Sequence, residues 1–232
     1  MTNLKKLYLF DIDGTLLSPG PSARKSLNKA IQNNTGKRSD LQIVDVAGLT
    51  DQLIVRNVLQ KQKYNGNINQ KTEEILSEYL NTFKIAYASS SHPFIYQDAL
   101  KLLIKIEKSG NVVALLTGNT EIGAQIKLGR FNLINRFAFG VFGNDGMTRM
   151  ELPVVAYKRA QEILNQEISF NDMVIIGDTP NDARIANGNG CESIIVCRRP
   201  EWRKEILKYK PTFVVEQLDD KKIIIPKYET NL

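Results

Sequence analysis

Cysteine is nearly absent from this chain: Cys191 and Cys197 are the only two in 232 residues. Two thiols build no disulfide framework, which points to a reducing compartment. With no further Cys or His cluster beside them, they read as packing residues rather than metal ligands. His92 is the one histidine; set before Pro93, it reads as a hinge or surface residue rather than a catalyst. No apolar run is long enough to span a bilayer, and the N-terminus lacks the apolar segment and cleavage site of a secretory signal. A cytoplasmic protein with no membrane partner is therefore expected. Zinc-finger spacings, internal repeats and low-complexity tracts are also missing. The net charge of +6 favours anionic partners. The basic residues are spread out, however, apart from short clusters such as Arg198-Arg199 and Lys221-Lys222. That pattern fits a solvated basic surface, and no nucleic-acid partner is expected. What remains is ordinary globular composition, 42% hydrophobic and 24% charged, in a chain long enough for one large core or a core plus a smaller domain.

Four apolar runs read as strands: Leu7–Phe10, Val112–Leu116, Val174–Ile176 and Ser193–Val196. Helical spacing of apolar residues marks Asp51–Gln62, Thr72–Tyr87, Tyr96–Ser109, Glu121–Phe131 and Val154–Asn165. Strands alternating with helices imply βαβ units and a parallel sheet, whose doubly buried strands are continuously apolar, as these are. Phe213–Tyr228 adds a short strand pair or an edge. The helical stretch between the first two strands is too long for a simple crossover. It reads as a separate helical cap over residues 18–90, inserted into a Rossmann-like α/β core formed by 1–17 and 91–232. Ser18-Pro19-Gly20-Pro21 and Ala88-Ser89-Ser90-Ser91-His92-Pro93 serve as its linkers.

Three of the strands end in polar motifs: Asp11-Ile12-Asp13-Gly14-Thr15, Thr117-Gly118-Asn119-Thr120 and Gly177-Asp178-Thr179-Pro180-Asn181-Asp182. In an open parallel sheet, ligands bind outside the carboxyl ends of the strands. Asp11 and Asp13, two residues apart on an extended chain, leave it in the same direction, and Gly14 permits a sharp turn. Two carboxylates in one small space repel, so they need a cation or a shared proton. Singly, each motif reads as a turn or a helix cap. All three in this order, each directly after an apolar strand, point to one site.

Taken together, Asp-Ile-Asp-Gly-Thr, Leu-Leu-Thr-Gly-Asn and Ile-Ile-Gly-Asp-Thr-Pro-Asn-Asp resemble motifs one, two and four of the haloacid dehalogenase-like hydrolases, over about residues 7–197. The likeness is closest to the phosphoglycolate phosphatase-like branch, whose helical cap follows motif one. It implies a phosphatase acting on small phosphomonoesters; a monomer or homodimer is expected. Asp11 would attack phosphorus to give an aspartyl-phosphate. Asp13 would be general acid, then general base. Mg²⁺ would be held by Asp11, the backbone carbonyl of Asp13 and Asp178. Asp182, one helical turn past Asp178, would orient a metal-bound water or the loop. The Thr117 hydroxyl and the N–H groups of Gly118 and Asn119 would bind the phosphoryl oxygens. Asp13 favours phosphate esters, because members that break carbon–halogen bonds lack this residue and phosphonate-cleaving members carry alanine there. The same two aspartates would also serve a sugar-phosphate mutase.

One departure stands out. Motif three is usually a lysine just before the next helix. Alignment of Arg149-Met150-Glu151-Leu152-Pro153 puts Glu151 at that position, where an acid would worsen the repulsion. A compensating cation is expected from Lys158, two turns along the helix and able to snorkel toward the strand ends, from Arg149, or from Arg159. Without one, a non-catalytic binding protein becomes the alternative. In the cap, Gly48-Leu49-Thr50-Asp51 precedes a helix, with Thr50 or Asp51 as its N-cap. Because such loops in this branch meet the leaving group, Thr50, Gln52 and Arg56 are the specificity candidates.

Overall fold

The structure, a computed structural model, describes residues 5–164 and 167–228. Its centre is a six-stranded sheet, parallel throughout. The strands are β1 (Leu7–Phe10), β4 (Val112–Leu116), β5 (Gly140–Val141), β6 (Met173–Gly177), β7 (Glu192–Val196) and β8 (Phe213–Val215), in the order β5-β4-β1-β6-β7-β8. All four apolar runs are strands of this sheet. The C-terminal stretch supplies one edge strand, β8, which pairs with β7; among the described residues it forms no second strand. β5, two residues long, carries too little pattern to be read from sequence.

Side chains of a strand alternate between faces, and the two faces of this sheet bury different clusters. Tyr8, Phe10, Val113 and Leu115 pack with Ala99, Leu102 and Ile106 of α5 (Gln97–Lys108) and Ala124 and Leu128 of α6 (Glu121–Gly129). Leu7, Leu9, Ala114 and Leu116 pack with Leu152, Ala156 and Ala160 of α7 (Leu152–Leu164) and Ile185 and Ala186 of α8 (Pro180–Asn189). The short helix α9 (Arg203–Lys208) closes the β7–β8 side through Ile206.

Between β1 and β4 lie α1 (Ser22–Thr35), α2 (Ile43–Val46), α3 (Asp51–Lys61) and α4 (Ile68–Ala88). They bury their own cluster, including Leu27, Ile31, Val55, Leu59, Ile75 and Phe83. A two-stranded antiparallel ribbon, β2 (Leu17–Ser18) with β3 (Phe94–Ile95), brackets the helical segment where it leaves and rejoins the sheet. Gly20 and His92 of the two linkers pack together: a Cβ on Gly20 would lie 2.7 Å from the His92 Cβ. Among the described residues, no helix is long and apolar enough to cross a membrane.

Candidate active site

β4, β1 and β6 are neighbours in the sheet and run parallel, so their carboxyl ends open on one edge. Asp11, Thr117 and Asp178 each follow the last residue of one of these strands. All three line a cavity of about 780 Å³. The opposite wall comes from the helical segment: Arg24, Leu27, Ile43, Val46, Asp51, Ile54 and Tyr79.

The motif-one turn is fixed on two sides. Gly14 has φ +82°, and a Cβ there would lie 2.2 Å from an Asp178 carboxylate oxygen, so no other residue fits. Arg198 donates to the carbonyls of Gly14 (2.6 Å) and Thr15 (3.3 Å), while its guanidinium lies over the Tyr96 ring and pairs with Asp98.

Asp11, Asp178 and Asp182 are buried, each offering a carboxylate oxygen within 4.8 Å of the others'. Burial pushes the Asp11 carboxyl up to about 7; Arg149 pulls it down, and Asp182 and Asp13 add to the rise. Burial, then Asp182 and Asp11, raises Asp178 well above the ordinary carboxylate range. The three oxygens are not equally available. Asp182 already accepts from Arg149 (2.5 Å) and from the N–H of Thr179 (2.9 Å), where it completes the capping box of α8. Asp178 has one long bond, 3.3 Å from the Thr15 hydroxyl. Such a set of hard oxygens, with Asp178 nearly unpartnered, fits a divalent cation such as Mg²⁺.

Of the three expected cations, Arg149 is the one that the structure brings to Asp11. It lies in a 3₁₀ turn, Arg149–Glu151, that leads into α7. Its buried guanidinium is 3.3 Å from Asp11 and 2.5 Å from Asp182. Glu151, aligned at the lysine position from sequence, points outward and accepts from the Met147 N–H (3.1 Å) and the Thr148 hydroxyl (3.0 Å). The tight turn rotates the chain, so a residue two places earlier faces inward. Lys158, the first-named compensating cation, is exposed on α7 and does not line the cavity. Arg159 is held by Asp145 and the Gly140 carbonyl.

Thr117, Gly118 and Asn119 lie together on the cavity wall. Gly118 is closely covered: a Cβ would come within 2.0 Å of the Leu49 carbonyl oxygen. The Asn119 amide donates to the Thr117 hydroxyl (2.8 Å) and to Asp13 Oδ2 (3.0 Å).

The specificity candidates fall elsewhere. Thr50 is fully buried and caps α3, accepting from the Leu53 N–H (3.2 Å). Arg56 donates to Asn69 (2.7 Å) within the helical segment. Neither they nor Gln52 line the cavity; Asp51 and Ile54, three residues apart on α3, do. Helix periodicity decides this, because the face carrying Asp51 and Ile54 turns Gln52 and Arg56 away. Asp51 reaches into the core: its N–H donates to the Gly118 carbonyl (2.9 Å), and its carboxylate accepts from the Thr120 N–H (2.9 Å).

Sequence reasoning missed Lys127. Its side chain is 3% exposed, and its ammonium lies 2.5 Å from Asp13 Oδ2 and bonds Asn119 Oδ1. A signal was present: Lys127 falls between Ala124 and Leu128 on the buried face of α6, where a solvated lysine has no place.

This cluster of acids around a buried arginine, at the carboxyl edge of a parallel sheet, matches a known class. A family model described as "Haloacid dehalogenase-like hydrolase" matches residues 8–196, and the chain belongs to that family. Phosphoglycolate phosphatase of Vibrio parahaemolyticus is 25% identical over 219 residues, covering 93% of each chain. Phosphoglycolate phosphatase 1 of Pseudomonas aeruginosa is 22% identical, over 94% of this chain and 79% of its own. Among solved structures, a mutant of CbbY from Rhodobacter sphaeroides in complex with xylulose-(1,5)bisphosphate shares the fold, with TM-score 0.75 and 16% identity over 94% of this chain and 96% of that one. Within the family, the chain is a phosphatase, a phosphoric monoester hydrolase.

Proposed function

We propose that this phosphatase is Mg²⁺-dependent and hydrolyses small phosphomonoesters through an aspartyl-phosphate on Asp11. One observation carries the reading: Asp11 and Asp178, buried and repelling, share a cavity wall with the Arg149 guanidinium and the Thr117 loop. Asp11 and Asp178 would hold the ion, with the Asp13 backbone carbonyl as a further ligand; Asp182 is engaged by Arg149 and caps α8. When bound, Mg²⁺ neutralises charge on the phosphoryl group.

An Asp11 oxygen attacks phosphorus as the bond to the ester oxygen breaks, and Asp13 delivers a proton to that departing oxygen. Water then attacks phosphorus, Asp13 takes its proton, the bond to Asp11 breaks, and inorganic phosphate leaves. Arg149, the Thr117 hydroxyl and the N–H groups of Gly118 and Asn119 meet the phosphoryl oxygens and their developing charge. Residues 18–90 act as a cap that excludes water and sets specificity. Arg24, on the cap side of the cavity, suits a leaving group bearing a second anionic group. The relatives named for phosphoglycolate, whose leaving group carries a carboxylate, agree with that chemistry.

The test is hydrolysis of p-nitrophenyl phosphate with Mg²⁺ by wild type and Asp11→Asn. The variant should lose at least about a thousandfold in kcat, the scale on which removing a nucleophile acts. Equal rates would refute Asp11 as nucleophile. Release of free phosphate rather than an isomer from sugar phosphates separates hydrolysis from a mutase reaction.

A further inference from the structure

We propose that Lys127 is a positioning residue for Asp13: with Asn119 it clamps the Asp13 carboxylate at the cavity wall, and the docked cap completes the clamp. The inference rests on the reading of Asp13 as proton donor to the leaving group.

A lysine buried to this degree requires compensation, because an isolated ammonium out of water is costly by several kcal/mol. Lys127 finds it at Asp13, the carboxylate that hands the leaving group its proton. Its Nζ lies 2.5 Å from Asp13 Oδ2. It also holds Asn119 Oδ1, and the Asn119 amide returns to the same Asp13 oxygen at 3.0 Å. One carboxylate oxygen is thus fixed by two donors that are themselves bonded, a triangle that permits little rotation. The same amide reaches the Thr117 hydroxyl at 2.8 Å, so Asp13 is held in register with the phosphoryl-binding loop.

The cap closes the other sides of Lys127. The Phe83 ring of α4 lies 5.8 Å from its Nζ. The Tyr87 hydroxyl donates to its backbone carbonyl (3.4 Å). The buried Asp51 carboxylate of α3 is close enough to interact electrostatically with both Lys127 and Asp13. The cap therefore walls in the ammonium that orients the proton donor, which ties closure to the protonation of the leaving group.

A clamp acting through Asp13 matters where the leaving oxygen needs a proton. An alkoxide needs one; p-nitrophenolate, a stable anion, does not. Comparing kcat/KM, which reads events only through phosphoryl transfer to Asp11, removes the later hydrolysis from view. Lys127→Met should lower kcat/KM for an alkyl ester such as glycerol 2-phosphate by roughly tenfold to a hundredfold, a share of what general acid catalysis supplies. For p-nitrophenyl phosphate the loss should stay under about threefold, and that activity also reports the fold. Lys127→Gln, which keeps an N–H donor for Asp13, should recover part of the alkyl activity; if Lys127→Met does not fold, Lys127→Gln carries the comparison. Equal losses on both esters would overturn the clamp while leaving the phosphatase mechanism standing. Wild-type protein inactive toward both esters would overturn the mechanism and the clamp with it.

Discussion

Arg149 is charged where charge is costly, and it stays charged because carboxylates face it. Asp11 at 3.3 Å and Asp182 at 2.5 Å share its guanidinium, with Asp178 nearby. Removing one partner of such a group leaves buried charge uncompensated, at about 3–5 kcal/mol. Arg149→Met should therefore abolish measurable turnover and lower the thermal midpoint. Lys158→Met should leave both unchanged, since Lys158 is exposed and away from the cavity. Steady-state kinetics and a thermal melt on the two variants check this; a fully active Arg149→Met would remove it from the site.

At the scale of elements, segment 48–51 lies closely on the loops that follow β4 and β6. Leu49 offers its carbonyl over Gly118, Asp51 donates to the Gly118 carbonyl (2.9 Å), and the Asn181 amide donates to the Gly48 carbonyl. Three loops from separate parts of the chain thus meet over the cavity. Gly118 is the tightest point, because a Cβ there would meet backbone, which cannot rotate aside. Gly118→Ala should lower the thermal midpoint, because the backbone of segment 48–51 must shift to make room. It should lower kcat/KM by at least about tenfold, the order expected when a closing element is misplaced by an ångström. A variant with wild-type activity would show that close docking is not needed for turnover.

For the whole molecule, the acid cluster links stability to pH and to the proposed binding of a divalent cation. Asp11, raised from 3.8 to about 7, holds its proton more tightly folded than unfolded. Its stabilising contribution is complete below about pH 4 and is lost as the pH rises through about 7. Asp178 is shifted in the same direction. A cation bound between the carboxylates reverses the effect by favouring their ionised forms. Mg²⁺ should therefore raise the thermal midpoint more at about pH 8 than at about pH 5, as ligand binding to the folded state requires. The same shift at both pH values, or none, would argue against a metal held by these groups. Calorimetric melts with and without Mg²⁺ make the comparison.

The chain order of apolar runs determined the parallel sheet. Strand burial and helical periodicity are local, and each motif directly follows a strand, so Asp11, Thr117 and Asp178 are legible in the sequence as one site. What only the tertiary structure decided lies at contacts between segments far apart in sequence. A single 3₁₀ turn exchanged Arg149 for Glu151 as the inward residue. The rotation of α3 turned Asp51 and Ile54 toward the cavity and left Gln52 and Arg56 outside it. Lys127 meets Asp13 across 114 positions of sequence, and no local pattern encodes a partner at that distance. Periodicity tells which face of an element is buried; which charge waits on the other side is settled only when the elements pack.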